Sequence, residues 1–265
     1  MCFSQNNNSN KFESPIDFPI LLSGNFGELR SSGFHSGIDI KTQGKEGLPI
    51  RSIDSGYVAR VQVSTSGFGK VVYIDHGNNI TTVYAHLSEF SDKIEKIMNK
   101  LQYKNKKYEV RKFFKSNELK IGKKEIIGLS GNTGSSFGPH LHFEIRKTDK
   151  ELPINPLYYN FDVKDTIRPY LRNLFLYGIK NGSLRKKQLN LSKVNDSTFT
   201  TGTIKTTDTI GFGIVSYDRQ NKTNNIFGNY KYSLFKNDTL SFELIFDSFT
   251  FSEKPFQKKF IDNEY

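Results

Sequence analysis

Residues 138–144 read Gly-Pro-His-Leu-His-Phe-Glu and set His140 and His142 two positions apart. Phe143 and Ile145 favour a strand, and residues i and i+2 of a strand project from one face. Two imidazoles about 7 Å apart along that face can converge on one small object, a metal ion or a reacting carbonyl. A second pair lies upstream. Residues 34–39 read Phe-His-Ser-Gly-Ile-Asp, so His35 and Asp39 share a face if the segment is extended. The chain has five histidines: His35, His76, His86, His140 and His142. Three of them fall in these two segments, which is not the distribution of scattered surface histidines.

The chemistry open to such a set is narrow. Cys2 is the single cysteine, so no intrachain disulfide and no thiolate metal site can form, and a metal would need His and carboxylate ligands. A catalytic zinc site takes three protein ligands and keeps one position for water. Five side chains, His35, Asp39, His86, His140 and His142, compete for those three places. A surplus imidazole is then available for acid–base work beside a water whose pKa the metal lowers to about 7. The helical His-Glu-x-x-His pattern is absent, so a histidine must serve as general base.

The elements that would position these groups read mainly as strands. Ile38 and Ile40 alternate around Asp39. Residues 50–63 read as a hairpin. Residues 71–75 and 80–86 read as two strands joined by a turn at His76-Gly77-Asn78-Asn79, and the second ends at His86. Residues 91–104 change period: Ile94, Ile97, Met98 and Leu101 fall at i, i+3, i+4 and i+7, with Ser91 as N-cap, which predicts an amphipathic helix. The glycine-rich residues 128–138 lack a following Gly-Lys-Ser/Thr and read as a tight loop that delivers Pro139 and His140 rather than as a phosphate cradle. From about residue 166 short β-like runs recur at roughly 8–12 residue spacing, a sandwich-like pattern. No obvious closing strand follows residue 248, so this part can be incomplete. The expected organisation is a flexible segment over 1–14, a catalytic unit over 15–162 with an insertion at about 88–120, and a β-rich domain over 166–265.

Composition narrows the partners. The net charge is +11 and the pI about 9.5. Residues 92–124 hold 12 Lys and Arg against 4 Asp and Glu, which is +8 of that total. Such a balance favours polyanions: nucleic acid, anionic lipid or bacterial cell wall. No basic–aromatic nucleic-acid motif is present. No apolar run is long enough to span a membrane as a helix. The N-terminus lacks the charged and apolar regions of a full signal peptide, and its abrupt Met1-Cys2-Phe3 start reads either as a chain from which a signal peptide has been trimmed or as a floppy terminus with a free cysteine.

Five signatures stand in order over about residues 20–160: His35-x-x-x-Asp39, His76-Gly-Asn-Asn, Tyr84-Ala-His-Leu, Gly131-Asn-Thr-Gly and Gly138-Pro-His-Leu-His-Phe-Glu. With them the chain resembles the lysostaphin-like, or LytM-type, zinc endopeptidases, the murein hydrolases built on a small antiparallel β-sheet groove. The resemblance implies one Zn²⁺ held by His35, Asp39 and His142, with His86 and His140 as catalytic bases or transition-state stabilisers and His76 structural. It implies hydrolysis of peptide bonds in peptidoglycan cross-links or stem peptides, in a periplasmic or secreted setting. The alternative is a non-catalytic wall-binding or regulatory module of the same fold. The long basic insertion after Leu87 departs from the minimal enzymes, and residues 166–265 lie outside the resemblance.

Overall fold

The computed structural model describes residues 12–31, 33–159, 161–180, 183–206, 209–253 and 261–262. Residues 1–11, with Cys2, lie outside them. The chain is mainly β, with antiparallel sheets.

The first fourteen strands and one helix are β1 (Leu22–Gly24), β2 (Leu29–Arg30), β3 (Gly33–Phe34), β4 (Ile38–Lys41), β5 (Pro49–Arg51), β6 (Gly56–Val63), β7 (Lys70–Asp75), β8 (Ile80–Leu87), β9 (Glu89–Phe90), α1 (Asp92–Asn105), β10 (Val110–Phe113), β11 (Lys120–Ile121), β12 (Ile126–Leu129), β13 (His140–Lys147) and β14 (Leu152–Ile154). Nine of these strands make one sheet, ordered β1-β4-β13-β8-β7-β6-β10, with β11 on β6 and β14 on β13. The strand carrying the two adjacent histidines, β13, is therefore central, between β4 and β8.

The two faces of this sheet differ because side chains alternate. Leu141, Phe143 and Ile145 of β13 face the main core with Ile38, Ile40, Val72, Ile74 and Tyr84. The three-stranded sheet β5-β12-β9 contributes Ile50, Ile127 and Phe90 to that core, and α1 contributes Ile94 and Met98. The other face carries the polar residues of β13 and a small apolar cluster of Val71, Tyr73, Val83 and Ala85 beneath Phe68.

Three details differ from the expected layout. Phe12 is buried against Tyr159, with ring centroids 5.1 Å apart, and the Glu13 N–H donates to the Ile53 carbonyl at 3.0 Å, so residues 12 and 13 of the segment expected to be flexible pack on the fold. The expected hairpin over residues 50–63 is two strands in different sheets, because Ile50 and Ile53 both bury completely in the core. The helix forms as expected, but Ser91 makes no side-chain cap; Glu95 accepts the Phe90 N–H at 3.1 Å instead.

Further along, β15 (Tyr170–Lys180), β16 (Ser183–Leu189) and β19 (Thr209–Tyr217) form a three-stranded sheet, and β17 (Ser192–Asn195) with β18 (Thr198–Thr200) and β20 (Lys231–Lys236) with β21 (Thr239–Ile245) form two ribbons. Part of this region joins the main core: Phe227 and Phe246 are buried in the same cluster as Ile38 and Phe143.

Candidate active site

Antiparallel register assembles the polar face. His142 lies opposite Asp39 of β4 and opposite Ala85 of β8. His35 enters from the short loop between β3 and β4. Its Nε2 lies 3.0 Å from His142 Nδ1 and 3.2 Å from Asp39 Oδ1, and His142 Nδ1 lies 2.8 Å from Asp39 Oδ1. All three residues are buried.

The outer nitrogens of both imidazoles are already committed. His35 Nδ1 donates to the Asn25 carbonyl at 2.8 Å, and His142 Nε2 donates to Glu144 Oε1 at 2.9 Å. In their neutral forms both rings therefore turn a lone pair inward, toward a carboxylate oxygen. Three electron-pair donors at 2.8–3.2 Å need either an extra proton or a cation between them. Metal–ligand bonds of about 2.1 Å in a tetrahedron require donor separations of about 3.4 Å, close to this spacing. The donor set, two imidazole nitrogens and one carboxylate oxygen, fits zinc.

The electrostatics carry the same mark. Burial opposes the charge on Asp39, but the His35 charge and hydrogen bonds from His140, His142 and His35 outweigh it and hold the carboxyl well below its usual range. Burial disfavours the His142 cation, yet Asp39 and Glu144 on either side lift its pKa to about 9. Burial likewise opposes Glu144, but Arg146 and His142 hold it at about 2.

A row of supporting groups continues along the same face of β13. Arg146 Nε donates to Glu144 Oε2 at 2.5 Å, and Ser36 Oγ donates to Glu144 Oε1 at 2.6 Å. On the other flank Arg30 Nη2 donates to Asp39 Oδ2 at 2.5 Å and to Glu28 Oε1 at 2.6 Å. Each donor of the trio thus has its second polar atom fixed, the arrangement that orients metal ligands. Sequence reasoning missed Arg30, Glu144 and Arg146. The spacing of Glu144 and Arg146, two and four residues past His142, held the signal, since a strand puts all three on one face.

His86 and His140 stand beside the trio, with ring centroids 4.8 Å apart. His140 Nδ1 donates to the Gly138 carbonyl at 2.8 Å, which leaves Nε2 facing Asp39 Oδ1 at 3.5 Å. His86 arrives by a break in strand alternation. Ala85 is the residue in register with His142, so regular alternation would turn His86 to the opposite face. His86 has φ +61°, in the left-handed region, and its ring comes within 5.9 Å of His142. Its Nδ1 donates to the Thr133 carbonyl at 2.8 Å. Burial, then the neighbouring His142 and His140 charges, push its pKa down to about 4, so it is neutral at pH 7.

The loop that delivers Thr133 is pressed against residues 67–69. A Cβ built on Gly134, where φ is +75°, would lie 2.4 Å from the Gly67 carbonyl oxygen and 2.4 Å from Gly69 N, so only glycine fits. His76 is remote from the trio. It donates from Nδ1 to the Ser55 carbonyl at 2.9 Å and accepts from Thr82 Oγ1 at 2.7 Å, a tie between two turns.

Comparison with known proteins follows the same residues. Residues 33–103 and 96–156 match Peptidase family M23. The DD-carboxypeptidase/endopeptidase Mpg of Neisseria meningitidis is 32% identical over 129 residues, 49% of this chain and 23% of that protein. The peptidoglycan DD-endopeptidase ShyA of Vibrio cholerae is 28% identical over 159 residues, 58% of this chain and 30% of that protein. The chain therefore spans about a quarter to a third of the length of these relatives. Among solved structures, the catalytic domain of the prophage-encoded M23 protein EnpA from Enterococcus faecalis is 26% identical, with a TM-score of 0.42, covering 57% of this chain and 100% of that one. The matched span contains all five histidines of this chain and Asp39, and residues 33–156 are a domain of peptidase family M23.

Proposed function

We propose that this chain is a zinc endopeptidase that hydrolyses peptide bonds in bacterial peptidoglycan. The observation that carries the reading is the convergence of His35 Nε2, Asp39 Oδ1 and His142 Nδ1 within 2.8–3.2 Å, with two further imidazoles beside them. Bound there, zinc would lower the pKa of a water to about 7 and polarise the scissile carbonyl.

The residues around it divide the remaining work. Glu144 and Arg146 hold the His142 ring, and Arg30 holds the Asp39 carboxylate, so the ligands are oriented before substrate arrives. His86 and His140 each have Nδ1 tied to a backbone carbonyl, and His140 Nε2 lies 3.5 Å from Asp39 Oδ1. One accepts a proton from the attacking water at Nε2. The same ring, then an imidazolium, returns that proton to the leaving amine. Such positioned acid–base groups contribute about 10²–10⁴ in rate.

Support for a peptidoglycan substrate comes from the names of the relatives and from charge. Stem peptides carry carboxylates. On α1 the cations Lys96, Lys100 and Lys104 are exposed on the side opposite buried Ile94 and Met98, and none has a carboxylate partner among the described residues. Attraction of an anionic polymer by such a stripe acts at range and weakens with salt. No described helix is long and apolar enough to cross a membrane. The test is release of soluble peptide-linked fragments from purified sacculi by the zinc-loaded chain. Intact sacculi after prolonged incubation would refute the assignment of substrate.

A further inference from the structure

We propose that residues 218–249, outside the span matched to family M23, are a working part of the metal site, with Gln220 and Asn25 as positioning residues for His35. This inference rests on the reading of His35 as a metal ligand.

The outermost strand on the side of the large sheet next to Asp39 is β1. Its outer N–H and C=O groups need partners if they are covered. Among the described residues no strand pairs there. Side-chain amides take the place of one. Gln220, itself buried, accepts the Leu22 N–H at 2.8 Å through Oε1 and donates to the Ile20 carbonyl at 3.0 Å through Nε2. Asn225 Nδ2 donates to the Ser23 carbonyl at 3.2 Å.

The next contact leads to the ligand. Asn25 is buried and grips Gly228 with both side-chain atoms: Nδ2 donates to the Gly228 carbonyl at 2.7 Å, and Oδ1 accepts the Gly228 N–H at 3.1 Å. That pair fixes the Asn25 residue, whose own carbonyl accepts from His35 Nδ1 at 2.8 Å. This bond selects the tautomer that leaves His35 Nε2 bare and facing Asp39 and His142. The Asn25 N–H donates to Glu28 Oε2 at 3.0 Å, and Glu28 Oε1 holds Arg30, which holds Asp39. Two of the three ligands are therefore oriented through residues 25–30.

Packing closes the same loop from behind. The Phe246 ring covers Gly27, where φ is +78° and a built Cβ would lie 2.6 Å from the ring. Phe246 meets Phe34, the residue before His35, edge-on at 4.9 Å, and Phe249 lies 5.1 Å from Phe26. The loop is held between the metal trio on one side and residues 218–249 on the other.

The experiment is zinc affinity of the full chain by competition with a chromophoric chelator. The variants are Asn25→Ala, Gln220→Ala, His35→Ala and a control, Asn79→Ala. Asn79 Oδ1 accepts the Asp149 N–H at 2.9 Å, a bond outside residues 20–35 and 218–249. Asn25→Ala keeps the carbonyl that holds His35 but releases it from Gly228, and we expect it to weaken zinc binding by up to the 10- to 100-fold or so that loss of a ligand's outer partner costs. Gln220→Ala should weaken it several-fold, and the control should not. Gln220→Ala keeps the test decisive if Asn25→Ala does not fold. Unchanged affinity in both variants, or an equal loss in Asn79→Ala, would overturn the proposal. If His35→Ala loses zinc while Asn25→Ala and Gln220→Ala keep it, the clamp fails and the metal site stands. If the unaltered chain takes up no zinc, both fail.

Discussion

Asp39 and His142, 103 residues apart in sequence, sit directly opposite one another in the β4–β13 ladder, with Oδ1 and Nδ1 2.8 Å apart. The register of one antiparallel pair thus brings a carboxylate and an imidazole into ligating distance. Everything else in the site is arranged around that contact.

The outer partner of His142 gives one prediction. Glu144 is fully buried between His142 and Arg146. Glu144→Gln keeps the shape but removes the charge that both neighbours need. Zinc affinity should fall about 10- to 100-fold. Leaving Arg146 without its buried partner should also cost about 3–5 kcal/mol of stability, the usual penalty for breaking a buried pair from one side. Chelator competition and denaturant titration would measure the two losses separately.

The backbone at His86 gives a second. Asparagine tolerates the left-handed region and valine does not. His86→Asn should fold with nearly unchanged stability and lose about 10²–10⁴ in rate. His86→Val should lose the same rate and a further 1–2 kcal/mol or so of stability. Equal stabilities for the two variants would show that the positive φ at this position carries no strain.

A third concerns pH and a histidine outside the site. Burial lowers the pKa of His76, so the folded chain resists protonating it while the unfolded chain takes the proton near pH 6.5. The contribution of His76 to stability is complete above about pH 6.5 and is lost as pH falls from there through the lowered folded value. Denaturation midpoints of the unaltered chain and of His76→Gln, compared from pH 8 to pH 5, should show a shallower decline in the variant. Parallel declines would remove His76 as a contributor.

Much of this could be read from the chain before any coordinates. The helix was legible because Ile94 and Met98 repeat at its period and do bury. The i, i+2 spacing of His140 and His142 put both on one face of β13. Which of five side chains fill three ligand places was not legible from spacing, because it depends on the register of β4 against β13 and on the twist of a single residue, His86. The strand β16 escaped notice because Arg185, Lys186 and Lys187 interrupt any alternation. The clamp on residues 20–28 was invisible for a different reason. Gln220 and Asn25 act through backbone groups some 200 positions away, and amide side chains carry no periodic signal.

In the proposed site His35 holds the metal while His140 serves the chemistry. Zinc content measured alongside digestion of purified sacculi, for the unaltered chain, His35→Ala and His140→Ala, tests it most directly. The expected result is about one zinc per chain and released peptides for the unaltered protein, loss of both in His35→Ala, and retained zinc with lost activity in His140→Ala. A chain that carries no zinc and releases nothing even after zinc is added, or a His35→Ala variant that keeps full zinc and activity, would contradict it.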